Sequence, residues 1–491
     1  MMQPIWGWLA VWVTMFGLTA AAQAGDLERN NRYLEVVRKF GKTLDTECAR
    51  PVEQRHQHVP ARGVWPVVVS LGSSANQAEP WSQQANLLYD ASTLHVMRVL
   101  AETIDEGRHR LAANGYVTDY LEHAQSSSSG LLGWGPELAL HMKQGDVVSM
   151  GQTSSEMAGG HQLLARTTPW DVLWDSNPSA TTKAITGLER HFPQRGSPYF
   201  TRNGAFFESS TSKVDDPNCE QAGSMAHAFA FLYNKTGDRH WMERARMCVD
   251  AAWSRRDPAT KLVPQRLSEK PAEDARAGSG QVLLGYLLLK AWKEAPHENA
   301  WGHQAISLLN GYDHFAFDPK SGNWYASVRL DGLLADQTAD NAEPDASTRP
   351  MLPVWGDPGE QGISVAILGR AAAYAAGVTR DQQCLAMARR SWDLLKKTPR
   401  PAETSTYPLA FALGLSLDLY DLTQEKRYLE YAQSLADLTI TRYWNGRLFR
   451  SRPHSDLYDA RLASGDLAAG LLRLHIRLQN FRPPRLYDWT F

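Results

Sequence analysis

A short motif recurs three times in the second half of the chain, and it constrains the fold more than any other feature. The copies read Thr236-Gly237-Asp238, Thr379-Arg380-Asp381 and Thr423-Gln424-Glu425, and helical spacing of apolar residues flanks each. In each copy a helix ends, the chain turns, and an acidic residue begins the next helix, where Asp238 and Asp381 suit the N-cap. Repeated helical hairpins stack and bury a shared core. Because the spacing of the copies is irregular, the motif favours a closed barrel of hairpins over a regular solenoid.

Helical patterns also cover most of the remaining sequence. Apolar residues recur with helical periodicity over 26–47, 81–101 and 111–124, and again from about Gly223 onward. Strand signals are few, the clearest being 67–69 and 324–330. The hydrophobic content of 43% and charged content of 21% suit a packed core. We therefore predict an all-α dominated fold, an (α/α)-barrel of six or seven helical hairpins with a few short strands in its loops.

The first 24 residues have the pattern of a signal peptide. An apolar stretch from Ile5 to Ala21 leads to Ala22-Gln23-Ala24, which matches an A-x-A cleavage site. The alternative is a single membrane anchor, for which the apolar stretch is marginal in length. We expect cleavage after Ala24, a periplasmic or secreted protein without membrane association, and a single catalytic domain over 25–491.

Composition and motif searches narrow the possible partners. The net charge of −2 gives no electrostatic footprint for nucleic acid. Neither a G-x-G-x-x-G nor a P-loop pattern is present, so we expect no nucleotide cofactor. The four cysteines would meet an oxidising compartment and allow three pairings, but Cys248 and Cys384 lie in helical patterns, which favours buried free thiols. The oligomeric state stays open.

The stretch from Gly130 to Gly204 concentrates glycines, aromatics and isolated polar groups between helical blocks, the kind of loop region in which sites are built. Two carboxylates several Å apart would suit a glycoside hydrolase. Five acidic residues qualify, and the sequence does not choose a pair among them: Glu137, Glu156, Asp171, Asp175 and Glu208.

The order of motifs in and before this stretch resembles polysaccharide lyase family 2, the exported pectate lyases with an (α/α)7 barrel. The resemblance is carried by 81–84, 130–137, 155–157, 169–173, 177–181 and 202–204, which read WSQQ, GLLGWGPE, SEM, PWDVL, NPSAT and RNG. It implies β-elimination on a polyuronate such as pectate. From Gly223 to Leu474 the similarity is diffuse, because hairpins of any barrel look alike.

The resemblance also implies functional residues. Arg202 stands at the position of the catalytic base, and Glu137, Glu156 and Asn203 stand at the positions of the metal ligands. Histidines of the family are replaced at 137 and 203, which suggests an oxygen-liganded divalent cation, calcium or manganese, or loss of the metal. A guanidinium is normally never deprotonated, so Arg202 would alternatively clamp the substrate carboxylate while Tyr199 acts as base.

Six further residues are candidates for substrate binding. Gln83, Gln84 and Asn86 would hydrogen-bond sugar hydroxyls, although residues at a helix start also serve as caps. Trp134 and Trp170 would stack on a sugar or fill the core, and Asp171 belongs to the same motif as Trp170. Two other functions remain as alternatives: an (α/α)-barrel glycoside hydrolase or epimerase, and a sugar-binding barrel without catalysis.

Overall fold

The computed structural model describes residues 29–50, 63–72, 81–104, 106–152, 160–194, 199–206, 215–267, 275–332, 350–357 and 363–479. The predicted signal peptide and Glu156 lie outside these ranges. Within them, no helix is both long and apolar enough to cross a membrane.

Helices dominate the described residues, as predicted. The fourteen α-helices are α1 (29–43), α2 (Leu87–Thr103), α3 (Gly107–Ala124), α4 (Trp170–Ser176), α5 (Pro178–Gly187), α6 (Cys219–Thr236), α7 (Arg239–Trp253), α8 (Gly280–Glu294), α9 (Asn299–Ala316), α10 (Val365–Thr379), α11 (Gln382–Lys397), α12 (Thr406–Thr423), α13 (Lys426–Arg442) and α14 (Ser464–Leu478).

The long even-numbered helices form an inner ring. In order, α6, α8, α10, α12, α14 and α2 each contact the next, and each of α2, α6, α8, α10 and α12 also packs against the helix that follows it in sequence. Inner helices such as α8 and α12 are buried on almost every side, whereas the outer helices α7, α11 and α13 bury one face. This difference follows from position, because an inner helix is covered by neighbours and by the barrel centre.

Helices α4 and α1 complete the barrel. The seven-residue helix α4 lies between α2 and α6, since Arg98 of α2 contacts Asp175 at 3.2 Å and Trp174 meets Phe231 of α6 edge-on. Helix α1 covers α14 from outside, with Asn30 hydrogen-bonded to His475. The predicted (α/α)-barrel is therefore confirmed, with α4–α5 the shortest hairpin and the first and last helices pairing with each other.

The recurring threonine motif forms the hairpin turns as predicted. Asp238 and Asp381 are N-caps whose side chains accept hydrogen bonds from the backbone of α7 and α11. In all three copies the threonine hydroxyl donates to the carbonyl four residues earlier and accepts the N–H of the acidic residue. The middle residue is left-handed each time, with φ of 71° at Gly237, 65° at Arg380 and 59° at Gln424.

Short strands gather where the inner helices begin. The pairs are β1 (Val68–Ser70) with β11 (Leu457–Asp459), β5 (His161–Gln162) with β6 (Asn203–Gly204), β7 (Arg276–Gly278) with β10 (Ser327–Arg329), β8 (Phe317–Asp318) with β9 (Asn323–Trp324), and a three-stranded sheet of β2 (Gln84–Ala85), β3 (Leu138–His141) and β4 (Asp146–Ser149). All pairings are antiparallel. Because α2, α6, α8, α10 and α12 are each followed by an outer helix that runs back, these inner helices start at the same end, and the strand-bearing loops build that end of the barrel.

The four cysteines are buried free thiols, as expected from the sequence. Cys48, Cys219, Cys248 and Cys384 are unpaired, and burial raises the pKa of each thiol. Thiols with raised pKa are unreactive core residues rather than nucleophiles.

Candidate active site in the barrel centre

A narrow cavity with about 30 Å³ of free volume, partly open to solvent, lies at the loop-rich end of the barrel. It is bounded by the first turns of α2, α12 and α14 and by the segment preceding α4. Its lining is Leu88, Tyr89, Ala91, Ser92, Arg166, Thr167, Tyr407, Phe411, Ala460, Arg461, Ala463 and Asp466. Concave sites with a few polar groups on apolar walls are the usual form of small-molecule sites.

Asp466 is the carboxylic acid of this cavity. It lies in the first turn of α14, and its Oδ1 accepts a hydrogen bond of 2.7 Å from the Ser92 hydroxyl of α2. Burial raises the pKa of Asp466, while the Ser92 bond and the positive charges of Arg370 and Arg166 oppose that rise. Burial thus outweighs the opposing effects, and the raised pKa favours the proton-bearing form that a general acid needs.

The backbone around Asp466 is arranged for a close approach of α14 to α2. A Cβ atom at Gly465 would lie 2.5 Å from Thr93 Oγ1 and 2.8 Å from the Thr93 nitrogen, so only glycine lets the two helices meet here. Ala463, which caps the helix, has a left-handed φ of 61°. Non-glycine residues in that conformation cost about 1 kcal/mol and cluster at functional sites.

A second cavity, with about 10 Å³ of free volume, shares Asp466 and continues the barrel centre between α10, α12 and α14. An ion-pair network closes it, in which Asp418 binds both Arg370 and Arg473, and Arg473 also binds Asp421. A Cβ at Gly414 would lie 2.8 Å from Arg370 Nε, so this glycine gives the guanidinium room to cross. The two arginines and the two aspartates of this network neutralise one another, and together they form the floor of the cavity beneath Asp466.

Tyrosines and arginines surround the mouth of the cavity. Burial raises the pKa of Tyr407 to about 12 and also raises that of Tyr89, so both are neutral hydrogen-bonding phenols at physiological pH. Arg461 forms a fork with Asp459, with 2.9 and 2.6 Å contacts, and its guanidinium lies 4.1 Å from the centre of the Trp81 ring. Arg166 lies 5.8 Å from the centre of the Tyr89 ring.

Glu220 at the start of α6 is a second acid of the same barrel end. Its Oε2 accepts hydrogen bonds from Gln265 at 3.0 Å and from the Cys219 thiol at 3.5 Å, and burial raises its pKa. A Cβ at Gly280 would collide with that oxygen. Glu220 is therefore held tightly within the protein rather than facing the cavity of Asp466.

Four of the residues predicted to bind substrate are used by the protein itself. The Gln84 side chain bonds the backbone of Gln152 and Gly151, and Asn86 caps α2 while its amide nitrogen donates to Gly135 and Leu138. The Trp134 and Trp170 rings are each 3% exposed and pack against each other at 5.7 Å, so they offer no face to a sugar in this structure. Of the alternative roles weighed for them, the helix cap describes Asn86 and the core describes Trp134 and Trp170, whereas Gln84 lies in β2 and ties down the loop after β4.

Two other residues predicted to bind substrate lie outside the described cavity lining. Gln83 is half-buried in the turn before β2. Asp171 of α4 lies 3.6 Å from His95 Nε2. Desolvation opposes the effect, but the contact with His95 holds the pKa of Asp171 well below its usual value, so it is an ionised partner of that histidine.

The described residues among the predicted catalytic and metal residues lie in or beside two different sheets. Tyr199 donates to Asp216 at 3.2 Å, and Asn203 of β6 donates to Asp215 at 3.4 Å, with Arg202 between them in sequence. Glu137 is exposed at the turn into β3. Among the described residues no group of three or more His, Cys, Asp or Glu is placed to hold a metal ion, and the predicted ligand Glu156 lies outside them. The metal site stays a prediction.

A buried histidine pair that the sequence did not predict lies at the sheet of β5 and β6. His161 Nδ1 and His191 Nε2 are 2.9 Å apart, and His191 Nδ1 is 3.0 Å from the Thr201 carbonyl. Because a carbonyl oxygen can only accept a hydrogen bond, His191 carries its proton on Nδ1 and donates it to Thr201. The unprotonated Nε2 of His191 then accepts a hydrogen bond from the Nδ1–H of His161. Burial lowers the pKa of both imidazoles, and each is neutral at physiological pH.

Comparisons with known proteins agree with the (α/α)-barrel fold, but they do not support the resemblance to polysaccharide lyase family 2. No protein-family model matches the sequence, and no curated protein matches it. Similar solved structures include cellobiose 2-epimerase from Bacillus thermoamylovorans B4167, at 9% identity and a TM-score of 0.50, covering 93% of this chain and 100% of that one. A D-mannose isomerase has 11% identity and a TM-score of 0.49, covering 90% and 97%. A glycoside hydrolase family 76 mannosidase, Bt3792 from Bacteroides thetaiotaomicron VPI-5482, has 10% identity and a TM-score of 0.48, covering 91% and 100%.

The resemblance to polysaccharide lyase family 2 is therefore wrong, and with it the prediction of a pectate lyase. The similar structures are epimerases, isomerases and glycoside hydrolases. The short motifs that suggested the lyase belong mainly to β2, the turn before β3 and the caps of α4 and α5, where the structure gives them packing and capping roles. Such motifs recur wherever the same turns are needed, so their order alone was a weak guide to chemistry.

Proposed function

We propose that this chain is a glycoside hydrolase of the (α/α)-barrel class that acts on an oligosaccharide or polysaccharide in the cavity around Asp466. The observation that carries this proposal is the Asp466 carboxyl itself. It is half-buried in a cavity at the barrel centre, and burial holds its pKa above the usual value. A carboxyl of this kind is suited to protonate a glycosidic oxygen.

In the proposed reaction Asp466 gives its proton to the oxygen of the leaving sugar as the bond to the anomeric carbon breaks. Water then adds to that carbon and gives up a proton to a second carboxylate. Glu137 and Asp357 are the candidates. Asp357 accepts a hydrogen bond from Ser405, the N-cap of α12 two residues before Tyr407, and the negative charge of Glu137 adds to the burial that raises the pKa of Tyr89. The tyrosine hydroxyls would bind sugar hydroxyls, and Trp81 would offer a ring face beside Arg461.

A second function, epimerisation or isomerisation of a sugar, is favoured by one specific observation. Among the described residues that line the cavity, Asp466 is the single carboxylic acid, and it is accompanied by Tyr89 and Tyr407. One carboxyl with neighbouring phenols would serve to move a proton on and off carbon, a reaction that needs no second carboxylate. The fold is shared with a cellobiose 2-epimerase.

One experiment separates the two functions. The protein is incubated in D₂O with a panel of neutral and acidic oligosaccharides, and products are followed by NMR and by reducing-end assay. New reducing ends without deuterium on carbon support the hydrolase. Deuterium on carbon with an unchanged number of reducing ends supports the epimerase. Asp466→Asn should abolish either activity, and activity that survives in this variant excludes Asp466 as the acid.

Export is part of the proposal. The pattern Ala22-Gln23-Ala24 supports cleavage after Ala24 and a periplasmic or secreted enzyme. N-terminal sequencing of protein recovered outside the cytoplasm should begin at Gly25. Recovery of the chain in the membrane fraction with Met1 retained would instead show an anchor.

A further inference from the structure

Arg166 differs from the other arginines at the barrel centre in its electrostatic environment. The others are compensated by carboxylates: Arg461 by Asp459, Arg370 and Arg473 by Asp418, and Arg452 by Asp357. For Arg166 no carboxylate of the described residues lies within the 4.0 Å that defines an ion pair. It lines the cavity beside Asp466, half-buried and without an ion-pair partner in that part of the chain.

The protein nevertheless fixes the position of Arg166. Its carbonyl accepts a hydrogen bond of 3.3 Å from Ser224, and three residues earlier the Leu163 carbonyl accepts one of 2.8 Å from Gln221. Both donors belong to the first turns of α6, so the segment is tied to the inner ring. The guanidinium lies 5.8 Å from the centre of the Tyr89 ring, which orients it without neutralising its charge.

A positioned guanidinium on a cavity wall, without an ion-pair partner among the described residues, presents its positive charge to the cavity. Burying a cation without a partner is costly, and the cost is recovered when an anion binds. The five N–H donors of a guanidinium match the two oxygens of a carboxylate or a sulfate.

We propose that Arg166 forms a subsite for an anionic substituent on the sugar, a carboxylate or a sulfate ester, so that the substrate is an acidic rather than a neutral glycan. This inference rests on the proposed function, because it assigns the substrate class of the same cavity. Arg166 binds the anion, and Asp466 acts on the neighbouring glycosidic bond. The bond is hydrolysed, and no elimination is involved.

Binding measurements test the subsite separately from turnover. Isothermal titration calorimetry is carried out on the full mature chain with two matched pairs of tetrasaccharides. One pair is a uronate tetrasaccharide and its carboxyl-reduced counterpart, and the other is a sulfated tetrasaccharide and its desulfated counterpart. The anionic member of at least one pair should bind roughly tenfold or more tightly, and the preference should weaken with added salt. The pair that shows the preference identifies the anionic group.

Three variants assign the preference to Arg166. Arg166→Met keeps the aliphatic stem and should abolish the preference, while Arg166→Lys should retain part of it. Arg246→Gln is the matched control. Arg246 lies on the outer helix α7 and pairs with Glu298, so its removal should leave the preference for the anionic sugar intact. Circular dichroism shows whether each variant folds, and if Arg166→Met does not, the comparison of wild type with Arg166→Lys decides.

The outcomes distinguish this inference from the proposed function. Equal binding of both members of each pair, no binding of either anionic probe, or a preference that survives in Arg166→Met would overturn the subsite. Hydrolysis of neutral sugars without any preference for anions would leave the proposed hydrolase standing and remove this inference. Tight binding of the anionic member without turnover of any substrate would support the anion subsite and remove the proposed hydrolase.

Discussion

Ser92 and Asp466 are joined by a hydrogen bond of 2.7 Å although they lie 374 residues apart in the chain. Ser92 belongs to the first long inner helix and Asp466 to the last, so the contact forms where the ring of helices closes. Gly465 permits that closure, and strands β1 and β11 brace it by pairing Val68 with Asp459. The candidate acid is therefore assembled by the completion of the barrel rather than by any local motif.

The first prediction concerns the pH dependence of activity. In the proposed reaction the acid form of Asp466 is the active one, so activity should fall as pH rises through its raised pKa, which places the alkaline limb above the ordinary range of an aspartate. Asp466→Asn should lower kcat by at least about 100-fold, the size typical of general acid catalysis. The measurement is kcat/KM against pH, and full activity of Asp466→Asn would exclude this residue.

The second prediction separates the role of Ser92 from that of the acid. The Ser92 hydroxyl donates to the carboxylate and so lowers the pKa of Asp466 relative to burial alone. Ser92→Ala should therefore move the alkaline limb to higher pH while reducing kcat only modestly. A residue that only supports packing would change the amount of folded protein and leave the limb where it is. An unshifted limb in a folded Ser92→Ala variant would contradict the positioning role.

The sequence allowed the fold to be predicted because its signals are local. A threonine, a left-handed residue and an acidic cap mark each of three hairpin turns within three residues, and the physical reason for each is contained in the motif. The predicted ends of α2 and α3, at 101 and 124, lie within two residues of the observed ends, whereas the predicted starts at 81 and 111 miss the observed starts at Leu87 and Gly107 by six and four residues. Short strands were predicted from the sequence only where β-branched or aromatic residues cluster, as in β1 and β10.

The cavity around Asp466, in which we propose catalysis, was not predicted from the sequence because its signals are not local. Asp466 follows Ser464-Gly465 and looks like any acidic residue in the first turn of a helix, where a carboxylate is favoured by the helix dipole. Nothing in the neighbouring sequence shows that burial raises its pKa. Trp134 and Trp170 attracted attention through composition, but aromatic residues near glycines fill the core here. The one available sign was Gly465, a glycine inside the start of a helix, which marks a close approach.

The third prediction tests the hairpin turns. Arg380 and Gln424 adopt the left-handed conformation that Gly237 supplies at the same place in the first motif. Arg380→Gly and Gln424→Gly should each stabilise the protein by up to about 1 kcal/mol, because glycine removes the steric cost of a positive φ. Gly237→Ala should destabilise by a similar amount. Free energies of unfolding in urea measure this, and a loss of stability in both glycine variants would contradict the turn geometry.

The last prediction concerns a buried acid outside the cavity. Asp90 of α2 is fully buried, its Oδ2 accepts a 2.6 Å hydrogen bond from Tyr116, and burial raises its pKa to about 7. An unfolded aspartate has a pKa near 3.9. The folded state therefore holds the proton more tightly, and the stabilisation, complete below the unfolded pKa, is lost as pH rises through 7. Over this window the loss approaches about 1.4 kcal/mol per pH unit.

Asp90→Asn removes the titration and keeps an oxygen acceptor for Tyr116. The variant should therefore lose less stability than wild type between pH 5 and pH 7, and the difference in their free energies of unfolding should grow in favour of the variant across that range. Asp250→Asn, on the exposed side of α7, is the matched control and should track the wild type at each pH. Parallel stability curves for wild type and Asp90→Asn would show that Asp90 is ionised in the folded protein throughout, and that the Tyr116 bond outweighs burial.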